Sequence, residues 1–250
     1  MGERRVLIIG SQCQQFPPLS FLPGVAHELY AVLTASELGG CVSALPGQDG
    51  LLINPTVEQT YTAIATAFQR ASADEATLFL AFIGHGEYVG DDFYLLPRDA
   101  QVPPSSRTAI HLFQLIMELH RQYSLLDGLV LLLDTCYSGV AAAGAAARWV
   151  GGLSGTLRFE ILTAAADRPA ADGCFSLNLV KTISHGLDTV ISEYLRCEQL
   201  RQVLLTCCPN QVPQLPMYNP MMGSTSPRTE PRWRDAPRGL ARVPRWRLSV

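Results

Sequence analysis

The sequence predicts an α/β fold with a central, mostly parallel sheet flanked by helices. Two observations carry that expectation. Short, continuous apolar runs alternate with amphipathic stretches long enough to be helices. The apolar runs lack a polar face, as strands covered on both sides by crossover helices must.

The elements follow in order. Arg4 to Gly10 is a first buried strand. Leu22 to Leu38 has helical spacing, with Leu22, Val25, Leu29, Val32 and Leu33 on one face, and Gly39-Gly40 marks its end. Cys41 to Leu45 is a second short strand. A helix opens at Asn54-Pro55-Thr56 and runs through Arg70, with Thr56 and Gln59 spaced as a capping box. Thr77 to Ile83 is a buried strand ending in Gly84-His85-Gly86. Phe93 to Leu96 is a small strand or hairpin arm, and Thr108 to Tyr123 is helical. Leu129 to Leu133 is the next buried strand, ending in Asp134-Thr135-Cys136. Val140 to Gly155 is an Ala/Gly loop. A strand at Phe159 to Thr163 and helices around Phe175 to Ser184 and Glu193 to Thr206 complete the series. A sheet of about five or six strands is expected.

Bulk properties narrow the class. With 48% hydrophobic and 16% charged residues, the 250-residue chain suits a globular core. No apolar run approaches the roughly 18 residues of a membrane span, and the N-terminus has no signal-peptide h-region. Seven cysteines, an odd count with no CxxC pair, are expected to be reduced thiols in a cytoplasmic protein. One lysine stands against eighteen arginines in an alanine-rich chain, which suits a GC-rich bacterial genome. Residues 224–250 carry seven Arg and two acids among many prolines. They read as a tail or linker following a domain at 1–223, and a solubilising role is favoured over nucleic-acid binding.

Ligands of open α/β sheets sit beyond the carboxyl ends of the strands. Two strands end there in reactive groups, one in His85 and the other in Cys136, with one helix between them. A thiol is a good nucleophile only as thiolate, and a neighbouring imidazole can take its proton. Taken alone, each residue reads as a loop histidine or an inert thiol; taken together, they read as a dyad. Gly86 is expected to turn the backbone sharply. Its amide and that of Cys136 are the candidate oxyanion donors, each worth about 3–4 kcal/mol of barrier.

FIGHGE (82–87) and LLLDTCYSG (131–139) resemble the histidine and cysteine motifs of caspase-like cysteine peptidases, closest to metacaspases and their bacterial relatives. The 51-residue interval between His85 and Cys136 matches the caspase spacing of about 50. LPGVAHEL (22–29), ILTAAADRPAADGCFSLNLVKTISHGL (161–187) and NQVPQLP (210–216) are similar to further segments of that family, so the likeness covers about residues 4–220. The caspase triplet Gln-Ala-Cys is absent.

The resemblance implies the caspase-hemoglobinase fold and hydrolysis by a Cys136–His85 dyad. It also implies an acidic substrate pocket formed by Asp134, by Glu28 where relatives carry Asn-Asp, and by Asp172. Paired carboxylates attract a guanidinium or ammonium, so cleavage after Arg or Lys is expected, with a protein or peptide as substrate. The competing reading of Asp134 is a turn or cap residue, and that of Glu28 a solvated helix face. No cofactor is required. Calcium activation is an option the family suggests, for which Glu87, Asp91 and Asp92 offer a small acidic cluster that also reads as a solvated loop. Arg148 and Arg158 are candidate self-cleavage sites, and a role in bacterial antiviral defence or cell death is implied by the likeness alone. A regulatory partner or self-association fits the same picture. The rival classes are a non-catalytic caspase-like scaffold and a small-molecule sensor domain. Aspartic-peptidase, zinc and phosphate-loop readings lack their second motif, their CxxC pairs and their glycine pattern, respectively.

Overall fold

The computed structural model describes residues 3–136, 158–164, 173–187, 194–208, 217–218 and 247–249. In chain order these form β1 (Arg4–Ser11), α1 (Leu22–Thr34), β2 (Val42–Ser43), β3 (Leu51–Ile53), α2 (Val57–Ala73), β4 (Thr77–Val89), β5 (Asp92–Leu96) and β6 (Ile110–His111). They continue with α3 (Leu112–Gln122), β7 (Gly128–Asp134), β8 (Arg158–Thr163), α4 (Cys174–His185), β9 (Tyr194–Arg196), α5 (Cys197–Cys207), β10 (Met217–Tyr218) and β11 (Arg247–Ser249).

The sheet runs β10-β8-β7-β4-β1-β2, and β3 pairs the same strand β1 further along. Every pairing among β1, β2, β3, β4, β7 and β8 is parallel. Only β10, at one edge, and the β4–β5–β6 extension are antiparallel. The expected α/β architecture is therefore present.

Alternation along the strands sorts side chains onto two faces. Leu7, Ile9, Leu78, Leu80, Phe82, Leu129, Leu131 and Leu133 share one core with Ile64, Ala67 and Phe68 of α2 and Leu112, Leu115 and Ile116 of α3. Val6, Ile8, Phe79, Ala81, Ile83, Val130 and Leu132 share the other with α1, α4 and α5 through Leu22, Leu29, Leu179 and Leu200. With helices on both faces, neither side of the sheet can be polar, which is why the apolar runs were continuous.

The capping box is formed as the sequence suggested. Thr56 Oγ1 accepts from Gln59 N at 3.1 Å, and Thr56 N donates to Gln59 Oε1 at 2.9 Å.

Several boundaries differ from the sequence reading. Helix α1 ends at Thr34, four residues early. The chain turns back so that Gly39 N donates to Val32 O and Cys41 N to Leu33 O, and Gly40 takes a left-handed φ of 59°. Strand β3 was missed because its three residues are held by β1 rather than by their own pattern. The helix expected from Thr108 begins only at Leu112, since Ile110 and His111 pair with β5.

The expectation that all cysteines are reduced is corrected. Cys174 and Cys208 form a disulfide tying the start of α4 to the end of α5, while Cys13, Cys41, Cys136, Cys197 and Cys207 are free. Spacing could not show this, because the two sulfurs meet only once the helices pack. Of the expected C-terminal tail, Arg247–Ser249 pair in parallel with β9. Among the described residues no helix is long and apolar enough to cross a membrane.

Candidate active site

Strands β4 and β7 are neighbours, paired from Thr77↔Gly128 to Ile83↔Asp134. The ladder ends at Ile83↔Asp134, so His85 and Cys136 each follow it by two residues, at the carboxyl edge of the parallel sheet. The two motifs that stand 51 residues apart in sequence thus end neighbouring parallel strands, joined through β5, β6 and α3.

The sequence reading ended a strand at Gly84-His85-Gly86. In the structure β4 continues through these residues and folds into a hairpin, with His85 opposite Leu96 and Gly86 opposite Leu95. His85 therefore sits where β4 leaves the parallel sheet and enters the hairpin. It is 9% exposed. Burial lowers its pKa below the ordinary 6.5, and a hydrogen bond to the Pro17 backbone offsets part of that effect. Its Nε2 is buried and has no hydrogen-bond partner among the described residues. In the tautomer that carries its proton on Nδ1, Nε2 holds the lone pair and can accept a proton. Phe16 stacks on the ring, with centroids 4.8 Å apart and planes 19° apart.

The role expected of Gly86 is corrected in its physical basis. Its backbone is ordinary strand rather than a sharp turn. Glycine is needed for space: a Cβ there would lie 2.7 Å from Phe93 Cζ and 3.0 Å from Thr135 Oγ1. The same distances show that the chain around Gly86 presses against the residue preceding Cys136. Gly84 is likewise confined, since a Cβ would lie 2.4 Å from the Ser11 carbonyl oxygen.

Cys136 is half-buried and free, one turn residue beyond the buried Thr135. Asp134, two residues before it, is 3% exposed and faces α4. Its Oδ2 accepts from Ser176 Oγ at 2.6 Å and from Ser176 N at 3.2 Å, so it satisfies an amide in the first turn of that helix. Burial raises the Asp134 carboxyl pKa, and the two bonds from Ser176 pull it back. Asp134 is neither a turn residue nor the N-cap, which is Gly173; it ends β7 and reaches the first turn of α4 from 42 residues away.

Glu28 stands on the exposed face of α1, between the buried Val25 and Leu29. Asp172 and Arg148 lie outside the described residues, and Arg158 opens β8. Of the acidic cluster, Asp92 Oδ1 pairs with His111 Nε2 at 3.3 Å. Among the described residues no three His, Cys, Asp or Glu groups come together to hold a metal. A separate cavity of about 450 Å³ lies between α2 and α3, lined by Tyr61, Asp99, Arg107, His111 and Glu118, and includes neither His85 nor Cys136.

Phe16, Pro17 and Ser176 were not singled out from sequence. An aromatic residue followed by two prolines was the one local signal for the first two.

No protein-family model matches the chain, and no curated protein matches it. Among solved structures it is similar to the crystal structure of caspase-1 from Spodoptera frugiperda. The TM-score is 0.55 at 13% identity over 86% of this chain and 88% of that one. At that identity the likeness speaks for the fold: the chain has a caspase-like fold, a mostly parallel sheet between two helical layers.

Proposed function

We propose that the protein is a cysteine endopeptidase of the caspase-like class, related to metacaspases and bacterial caspase homologues, with Cys136 as nucleophile and His85 as general base. The observation that supports this most is the parallel pairing of β4 with β7 up to Ile83↔Asp134, since His85 and Cys136 each lie two residues beyond that pair. The unpartnered His85 Nε2 is the base such a thiol needs.

In this reading Nε2 takes the Cys136 proton as sulfur attacks the scissile carbonyl. The amides of Gly86 and Cys136 hold the oxyanion. The imidazolium returns the proton to the leaving amine, and water, deprotonated by His85, releases the acyl enzyme. Desolvation favours the neutral imidazole between these steps, which keeps His85 ready to accept a proton.

Substrates are peptides with Arg or Lys before the scissile bond, recognised by Asp134 with Glu28 and Asp172. Ser176 keeps the Asp134 carboxylate oriented by its two hydrogen bonds. Self-cleavage at Arg148 or Arg158, a role in bacterial defence and a cytoplasmic location belong to the same proposal. Calcium is a modulator to be tested and takes part in no step.

Fluorogenic peptides ending in Arg, Lys or Asp, with and without calcium, test this reading. Wild type is expected to cleave after Arg or Lys, and Cys136→Ala to lose all of it. Cleavage only after Asp would remove the pocket roles and keep the dyad. Absence of cleavage under every condition, with a folded protein, would overturn the enzyme in favour of a scaffold.

A further inference from the structure

The loop between β1 and α1 is held unusually firmly for a connection. Gln12 forks onto Leu19, its Nε2 donating to Leu19 O at 2.7 Å and its Oε1 accepting from Leu19 N at 2.7 Å. Gln12 N donates to Asn54 Oδ1 at 2.8 Å, just past β3, and Gln14 N donates to Arg98 O at 3.0 Å, just past β5. A turn bond from Phe16 N to Cys13 O at 3.1 Å closes the tip. The loop is therefore fixed to the ends of β3 and β5 as well as to itself, and its Phe16 stacks on His85.

We infer that Phe16 is a positioning residue for His85: its ring lies flat on the imidazole and fixes the direction in which the unpartnered Nε2 points. This rests on the peptidase reading above. An imidazole whose Nε2 makes no hydrogen bond can still swing about its side-chain torsions. A flat neighbour within van der Waals reach blocks the swing, because any tilt drives one ring edge into the other. Reaction rates are sensitive to such placement. The plainer reading is that Phe16 only fills space beside Cys13, Tyr94, Leu96 and Ala100, against which it packs. The two readings part at Phe16→Leu, which keeps apolar volume and loses the flat face, and at Phe16→Tyr, which keeps both.

Three readouts separate them. The first is the His85 C2–H proton resonance, shifted upfield by the ring current of Phe16. The second is the rate at which iodoacetamide alkylates Cys136, and the third is kcat and KM on an arginine-ended fluorogenic peptide. In Phe16→Leu the resonance is expected to move downfield. Alkylation and kcat are expected to fall about tenfold or more, with KM within about twofold, and Phe16→Tyr to stay within about twofold of wild type throughout. Phe16→Leu with an unmoved resonance and wild-type alkylation overturns the inference, as does an equal loss in both variants. If wild type cleaves no peptide but Phe16→Leu still shifts the resonance and slows alkylation, the peptidase reading fails and the positioning of His85 by Phe16 stands.

Discussion

His85 is held neutral by its surroundings. Burial lowers its pKa below 6.5, so the acid limb of kcat/KM is expected below that value, and a pH–rate profile checks it. The same burial has a stability consequence, shared with His120, whose pKa is lowered by desolvation and whose buried Nδ1 has no partner among the described residues. Below about 6.5 the unfolded chain binds protons that the folded chain refuses. Stability is therefore expected to fall as pH drops through the window between 6.5 and the lowered folded values, then to level off for these two groups. Urea midpoints from pH 7 to 5 measure the slope, and His120→Gln is expected to flatten it. Gly86 yields another expectation at this scale. Gly86→Ala must displace Phe93 or Thr135 and is expected to cost about 1–3 kcal/mol, read as a lowered melting temperature.

Helix α4 is the element most closely tied to the site. Its first turn holds Asp134 through Ser176, and the Cys174–Cys208 disulfide anchors that same turn to the end of α5. Asn178 Nδ2 lies 3.4 Å from Cys174 Sγ and 3.6 Å from Cys208 Sγ. The bridge closes a loop with a sequence separation of 34. Cys208→Ser is expected to lower stability by roughly 3–4 kcal/mol on the chain-entropy account, measured by denaturation without reductant. Reductant is expected to lower wild-type stability and to leave Cys208→Ser unchanged. The helix boundaries were legible where local chemistry sets them, as at Thr56 and Gln59. They were not legible where another strand claims the residues, as at Ile110 and His111.

At the scale of the whole molecule, the parallel strands put both reactive motifs at one edge while the helices protect both faces. A reversible peptide aldehyde ending in Arg should bind this edge through Cys136. At a hundredfold excess over its Kd it is expected to stabilise the wild type by about 2.7 kcal/mol. A thermal shift in wild type, lost in Cys136→Ala, is the expected pattern; an equal shift in both would place the aldehyde elsewhere. Local patterns already specify the α/β class, the strands β1, β4, β7 and β8, and His85 and Cys136 as candidate reactive groups. Continuous apolar runs, a capping box and strand-end residues are local signals that survive any packing. Only the tertiary structure decided that β4 runs on past His85, that Gly86 serves for space, and that Cys174 meets Cys208. It alone placed Asp134 under α4 and Phe16 on the imidazole, because each of these depends on atoms brought together from distant parts of the chain, which no window of sequence contains.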